Sequence, residues 1–172
     1  MTAYKNIEVA NGKSITQQGL CGVFAVSLVT NLPVQRVFNK IKKQSFKSKQ
    51  WKGGTRHWEL ESALDFYKRK YTEIKLDKKV RLSTFVKDYT AKNYSYIVWV
   101  NGHVCVVHNN KIYDQSGYYD VDSLKVCEDD IYYDTNRYGE EVKKYIPFRK
   151  KDQLVMRGYK ILNTKFKLER VS

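Results

Sequence analysis

The sequence predicts an α+β fold in which an N-terminal helical half packs on an antiparallel β-sheet. Apolar residues recur at helical spacing from residue 21 to residue 67, as they do on buried helix faces. After residue 95 the pattern becomes strand-like. Tyr96-Ile97-Val98-Trp99-Val100 meets His103-Val104-Cys105-Val106-Val107 across Asn101-Gly102, a strong short-range hairpin signal. Helices first and antiparallel strands second, with no linker between them, read as one domain over 1–172 with a basic C-terminal β region. A chain of 172 residues is long enough to bury about two thirds of its unfolded surface. Its 42% hydrophobic content, 14 Tyr, 9 Gly and 2 Pro are a globular composition.

Ile7 and Val9 suggest a short edge strand before an Asn11-Gly12 turn. Cys21 to Val29 is apolar except for Ser27, and Gly22 and Ala25 allow close packing. A central helix of about ten residues, capped from the preceding loop, fits better than a buried strand. Asn31-Leu32-Pro33 reads as a helix restart, with proline tolerated in the first turn. Val34, Val37, Phe38 and Ile41 then form one apolar stripe. A basic loop from Lys42 to Thr55 follows; its Gly53-Gly54 beside Trp51 reads as a flexible lip or, more simply, as an ordinary helix-entry turn. Thr55 is placed to cap a third helix with Leu60, Ala63, Leu64 and Tyr67 on its stripe. Tyr71 to Leu76 is strand-like, and Ser83 offers a cap for a short helix carrying Phe85, Val86 and Tyr89. A second turn at Asn109-Asn110 leads from the central hairpin to Ile112-Tyr113-Asp114. Gln153–Met156 and Ile161–Leu168 suggest a last antiparallel pair about Gly158, with Leu162, Thr164, Phe166 and Leu168 on one face.

The formal charge is +14, and it is segregated. From Arg36 to Arg56 there are eight Lys or Arg and no acid; from Lys143 to Arg170 there are ten against Asp152 and Glu169. Asp114 through Asp134 carries seven acids and one lysine. A basic face of this kind suits nucleic acid or an acidic protein, or contact with the chain's own acidic region. No apolar run approaches the ~18 residues of a membrane span, and no export signal opens the chain, so no membrane partner and a cytoplasmic location are expected. Three cysteines cannot all pair within the chain, and reduced thiols fit that setting.

The stretch Gln17-Gln18-Gly19-Leu20-Cys21-Gly22 runs a polar turn into a cysteine and then into an apolar helix. A thiol there meets unpaired backbone N–H groups and the positive end of the helix dipole, which favour a thiolate. His103, just after the Asn-Gly turn, can turn a ring nitrogen toward a cleft, and Asp114 closes the adjoining strand. A carboxylate on the second imidazole nitrogen would fix its tautomer. The simple register about Asn109-Asn110 sets His103 opposite a position near Gly117. Asp114 is then diagonal to it, within reach only of a wider or bulged turn. Gln17 or Gln18, with Gln18 slightly favoured, can add a neutral donor for an oxyanion. Each residue also has a plainer role: Cys21 as a small buried hydrophobe, His103 solvated at a turn exit, Asp114 as strand punctuation. Cys21, His103, Cys105, His108 and Cys127 include no Cys-x-x-Cys or His-x-x-x-His pair, so no metal or other cofactor is expected.

The run QQGLCGVFAVSLV followed far downstream by GHVCVVHNNKIYDQ resembles the papain-like superfamily, especially its small bacteriocin-processing, double-glycine peptidase-type members. The order is similar: Cys-Gly at a helix start, His at a strand start, then Asp after another strand. The resemblance spans about 20 to 120 and implies Cys21 as nucleophile, His103 as general base and then acid, and Asp114 as the orienting residue. It departs at two points. Ile15 stands six residues before the cysteine, where that family usually has its oxyanion glutamine, and Gln115 replaces the proline after the aspartate. A second alignment sets QGLCGVFA on the papain-type Gln-Gly-x-Cys-Gly-x-Cys-Trp run. Gln18 then fits the oxyanion position and Phe24 stands at the nucleophile, which would make the chain an inactive relative.

The leading expectation is therefore a cysteine peptidase or related thiol-dependent amide hydrolase with a Cys21-His103-Asp114 triad, acting on a peptide or protein. The alternative is an inactive scaffold of the same fold that binds nucleic acid or an acidic host protein through its basic face. Compact size and high charge also suit a bacteriophage-encoded protein working in a host cytoplasm.

Overall fold

The computed structural model describes residues 8–9, 13–14, 20–45, 54–100, 102–114, 117–120, 131–145 and 153–163. Its architecture is α+β. Among the described residues there are four helices, α1 (Cys21–Thr30), α2 (Val34–Gln44), α3 (His57–Phe66) and α4 (Leu82–Asp88), all before residue 89. Strands β1 (Glu8–Val9) and β2 (Lys13–Ser14) form a small antiparallel pair of their own, apart from the main sheet. The main sheet contains β3 (Tyr71–Ile74), β4 (Ser95–Val100), β5 (His103–His108), β6 (Lys111–Asp114), β7 (Gly117–Asp120) and β10 (Val155–Ile161) in the order β3-β10-β4-β5-β6-β7. All of its pairs are antiparallel. A separate pair is made by β8 (Ile131–Thr135) and β9 (Glu141–Tyr145).

The central hairpins follow from their turns. Val100 pairs with His103, leaving a two-residue loop in which Gly102 has φ +69. His108 pairs with Lys111 across Asn109 and Asn110, at φ 50 and 62. Two successive left-handed residues make the turn whose twist matches paired strands, and asparagine tolerates that region better than most residues.

Alternation along the strands divides the core between two faces of the sheet. Ile97, Val104, Val106, Tyr113, Tyr159 and Ile161 join α1, α2 and α3 in one cluster. Tyr96, Val98, Val100, Cys105, Val107 and Ile112 join Leu82, Phe85 and Val86 of α4 in the other. Helix α1 is buried from Gly22 to Thr30. Its few polar groups are satisfied locally, with Thr30 Oγ1 donating to the Val26 carbonyl (2.6 Å) and Ser27 Oγ to the Leu32 carbonyl (2.6 Å). Helix α2 starts after Pro33 and buries Val34, Val37, Phe38 and Ile41, the stripe read from the sequence.

Three expectations need correction. Gly158 is not a turn. It lies inside the continuous strand β10, which pairs with β3 on one side and β4 on the other. A Cβ at Gly158 would sit 2.8 Å from Phe85 Cζ, so the glycine marks the close approach of α4 to the sheet. Residues 164–168, assigned to the second arm of that hairpin, lie outside the described residues. Thr55 and Ser83 do not cap helices either; the cap positions are Arg56 and Arg81. Leu20, at the cap position of α1, makes no side-chain cap hydrogen bond; the loop before it, from which a cap was expected, lies outside the described residues.

Candidate active site

The candidate site forms where the start of α1 meets the start of β5. Cys21, the first residue of α1, is half-buried and packs against the three-helix core cluster together with Trp99. Burial pushes its thiol pKa up. A hydrogen bond to the His103 side chain and the charge of that ring push it down, as do backbone hydrogen bonds at Val104 and Gly22, and the net pKa is lowered. A thiolate held by a nearby imidazolium and by N–H groups of a helix start is the nucleophilic form of cysteine.

His103 opens β5, and its Nε2 lies 3.3 Å from Asp114 Oδ2. The ring is 13% exposed and the carboxylate 1%, so the pair is largely shielded from solvent, the aspartate more completely. The strand pairing explains how Asp114 gets there. Val106 pairs with Tyr113 and Val107 with Ile112, so the register is the simple one about Asn109-Asn110. Extended by one step, it sets Asp114 level with Cys105, diagonal to His103 and on its face. No bulge is needed, contrary to the condition expected from the sequence. Diagonal Cβ atoms on one face are roughly 7 Å apart or less, and an imidazole and a carboxylate span that gap.

Gln17 and Gln18, the candidates for an oxyanion donor, lie outside the described residues, as do Trp51 to Gly53 of the lip and Cys127. Cys105 is fully buried in the α4 cluster, with its thiol 3.8 Å from the Val98 carbonyl; it is a packing residue. His108 is at the far end of β5, with Nδ1 2.9 Å from Ser95 Oγ, apart from the Cys21 site. Among the described residues, no three His, Cys, Asp or Glu side chains are grouped to hold a metal ion, and no helix is long and apolar enough to cross a membrane.

Sequence reasoning missed three contributors. The Val104 backbone bonds the thiol, and Trp99 pairs with Val104 across the hairpin. The Asn101-Gly102 turn alone implies that pairing. The third is Thr55, the partner in the close packing expected at Gly22: a Cβ on Gly22 would lie 2.6 Å from Thr55 Cβ, so Thr55 presses the start of α3 against the start of α1. A Cys-Gly pair at a helix start hints at such crowding, but the partner is too distant in the chain to be read. No known protein family, curated protein or solved structure matches the chain.

Proposed function

We propose that the protein is a thiol-dependent amide hydrolase, a cysteine peptidase or a close relative in chemistry, with a papain-like arrangement of Cys21, His103 and Asp114. One observation carries the reading: a half-buried thiol of lowered pKa, hydrogen-bonded to the His103 side chain, whose Nε2 is 3.3 Å from the buried Asp114 carboxylate.

In the reaction this implies, the Cys21 thiolate attacks the carbonyl carbon of an amide and forms a C–S bond. Negative charge moves to the carbonyl oxygen, where backbone N–H groups at the start of α1 can meet it. Protonated His103 gives its proton to the departing nitrogen as the C–N bond breaks, leaving a thioester. Neutral His103 then takes a proton from water, the hydroxide adds to the thioester carbon, and the thiolate leaves. Asp114 keeps the imidazole oriented through both steps and stabilises its cationic form. A peptide, isopeptide or glutamine side-chain amide would react through the same groups.

The test is the pH dependence of Cys21 alkylation by iodoacetamide in wild type and His103→Ala, with circular dichroism showing both folded. The reading expects a rate already high near neutral pH in the wild type and a profile shifted to alkaline pH in the variant. Identical profiles would refute the Cys-His pair and the hydrolase reading with it.

A further inference from the structure

Thr55, which touches Gly22, is followed by Arg56, at the cap position of α3, and by Trp58. Arg56 is exposed, and its guanidinium carbon lies 5.1 Å from the centroid of the Trp58 ring, itself 51% exposed. His57 braces the same ring edge-on at 5.0 Å. The Arg56 backbone N–H donates to Glu59 Oε1 at 3.2 Å, and Glu59 is only 7% exposed. The charge this segment offers to solvent is therefore that of Arg56, at the end of the stretch from Arg36 that holds eight Lys or Arg and no acid.

An arginine stacked on an indole is held in place by the ring while its N–H edges remain available, and their fork matches the two oxygens of a carboxylate. We propose that Arg56, at the start of α3 where it meets the start of α1 beside Cys21 through Thr55 and Gly22, is a specificity-determining residue that receives a carboxylate side chain of an acidic polypeptide substrate. The inference rests on the amide-hydrolase reading. It favours a polypeptide over nucleic acid because the thiol and imidazole act on an acyl carbon, which a phosphodiester backbone lacks.

Alkylation with two probes of similar size tests it in the full-length protein. Iodoacetate carries the carboxylate and iodoacetamide does not, and the ratio of their rates at Cys21 cancels any general change in the thiol. With water-like screening, one unit charge about 4–10 Å from the probe's carboxylate is worth about two- to fivefold in that ratio. The ratio is expected to fall by that factor in Arg56→Gln, to persist in Arg56→Lys, and to lose its dependence on residue 56 in about 0.5 M salt as the charge is screened. Hexaglutamate should protect Cys21 from iodoacetamide in the wild type better than in Arg56→Gln, and a thymidine oligonucleotide of equal charge should protect less than hexaglutamate. A reactive Cys21 whose ratio is the same in wild type and Arg56→Gln overturns this inference and leaves the hydrolase reading standing. Better protection by the oligonucleotide overturns the choice of a polypeptide. A folded wild type with Cys21 inert to both reagents overturns the hydrolase reading and this inference together.

Discussion

Strand β5 begins and ends with a histidine, and each histidine faces a side chain that could in principle be a nucleophile. At one end His103 meets Cys21 and Asp114; at the other, His108 Nδ1 lies 2.9 Å from Ser95 Oγ. Only the first pair has the features of a reactive site. Its thiol pKa is lowered by the imidazole and backbone hydrogen bonds beside it, it stands at a helix start, and it is only half-buried. A serine hydroxyl ionises far above neutral pH, and Ser95 is 0% exposed, so nothing can approach it. Burial also lowers the pKa of His108, which keeps that ring neutral. A nucleophile-imidazole distance is thus a poor guide on its own, and exposure and local charge separate a site from a packed hydrogen bond.

The sharpest way to break this comparison is to remove each imidazole in turn. His103→Ala should lower turnover of an accepted amide by roughly 10²–10⁴-fold, the usual contribution of a positioned acid-base. It should also leave Cys21 only a few per cent thiolate at pH 7. His108→Ala should change neither quantity by more than about twofold, an allowance for small shifts in packing. Equal losses from both, measured by stopped-flow alkylation and by release of a fluorogenic amide, would erase the distinction. Asp114→Asn comes next. Turnover should fall, by up to about 10⁴-fold if the amide fixes the wrong tautomer, while the alkylation rate falls much less because the His103–Cys21 hydrogen bond survives.

A smaller effect separates the two faces of the sheet. Gly22→Ala would drive a methyl into Thr55 and Gly158→Ala would drive one into Phe85. Each should cost about 1–3 kcal/mol in urea unfolding, the range for overpacking. Only Gly22→Ala should also change Cys21 reactivity, since it displaces the residue next to the thiol. Thr55→Gly in that background should recover part of the stability, and Phe85→Leu should do the same for Gly158→Ala. A rate change at Cys21 from Gly158→Ala would show that the faces are mechanically coupled.

What could be read from the chain follows the range of the interaction. Asn101-Gly102 and Asn109-Asn110 set their own turns, and the strand register, with the approach of Asp114 to His103, follows from those turns. The stripe of Val34, Val37, Phe38 and Ile41 needed only helical periodicity. Gly158 was misread because its reason is Phe85, more than seventy positions away, and from sequence a glycine between two apolar stretches looks like a turn. Thr55 has the chemistry of a cap, but contact with Gly22 uses the residue elsewhere. The grouping of Cys21, His103 and Asp114 was legible because residue type and secondary-structure position carry much of what brings them together. Arg56 was not, since its relevance depends on two helix starts meeting.

The mildest test concerns pH and belongs to His108. Burial lowers its folded pKa from the ordinary 6.5, a hydrogen bond to the Tyr94 backbone offsetting part of the effect. The unfolded chain therefore binds this proton more tightly than the folded one. Stability should be flat above about pH 6.5 on this account and fall as the pH is lowered through the folded value. One proton limits the slope to about 1.4 kcal/mol per pH unit, and the half-exposed ring should keep it well below that. Cys21 acts in a different window. Its lowered pKa adds stability only as pH rises, reaching full value above the ordinary 9.0. His108→Gln, which can still bond Ser95 but cannot titrate, should flatten the acid side of the stability profile measured by urea unfolding between pH 5 and 8. An acid-side slope undiminished in that variant would assign the proton to another group, and burial of the His108 ring would no longer account for the difference between the two ends of β5.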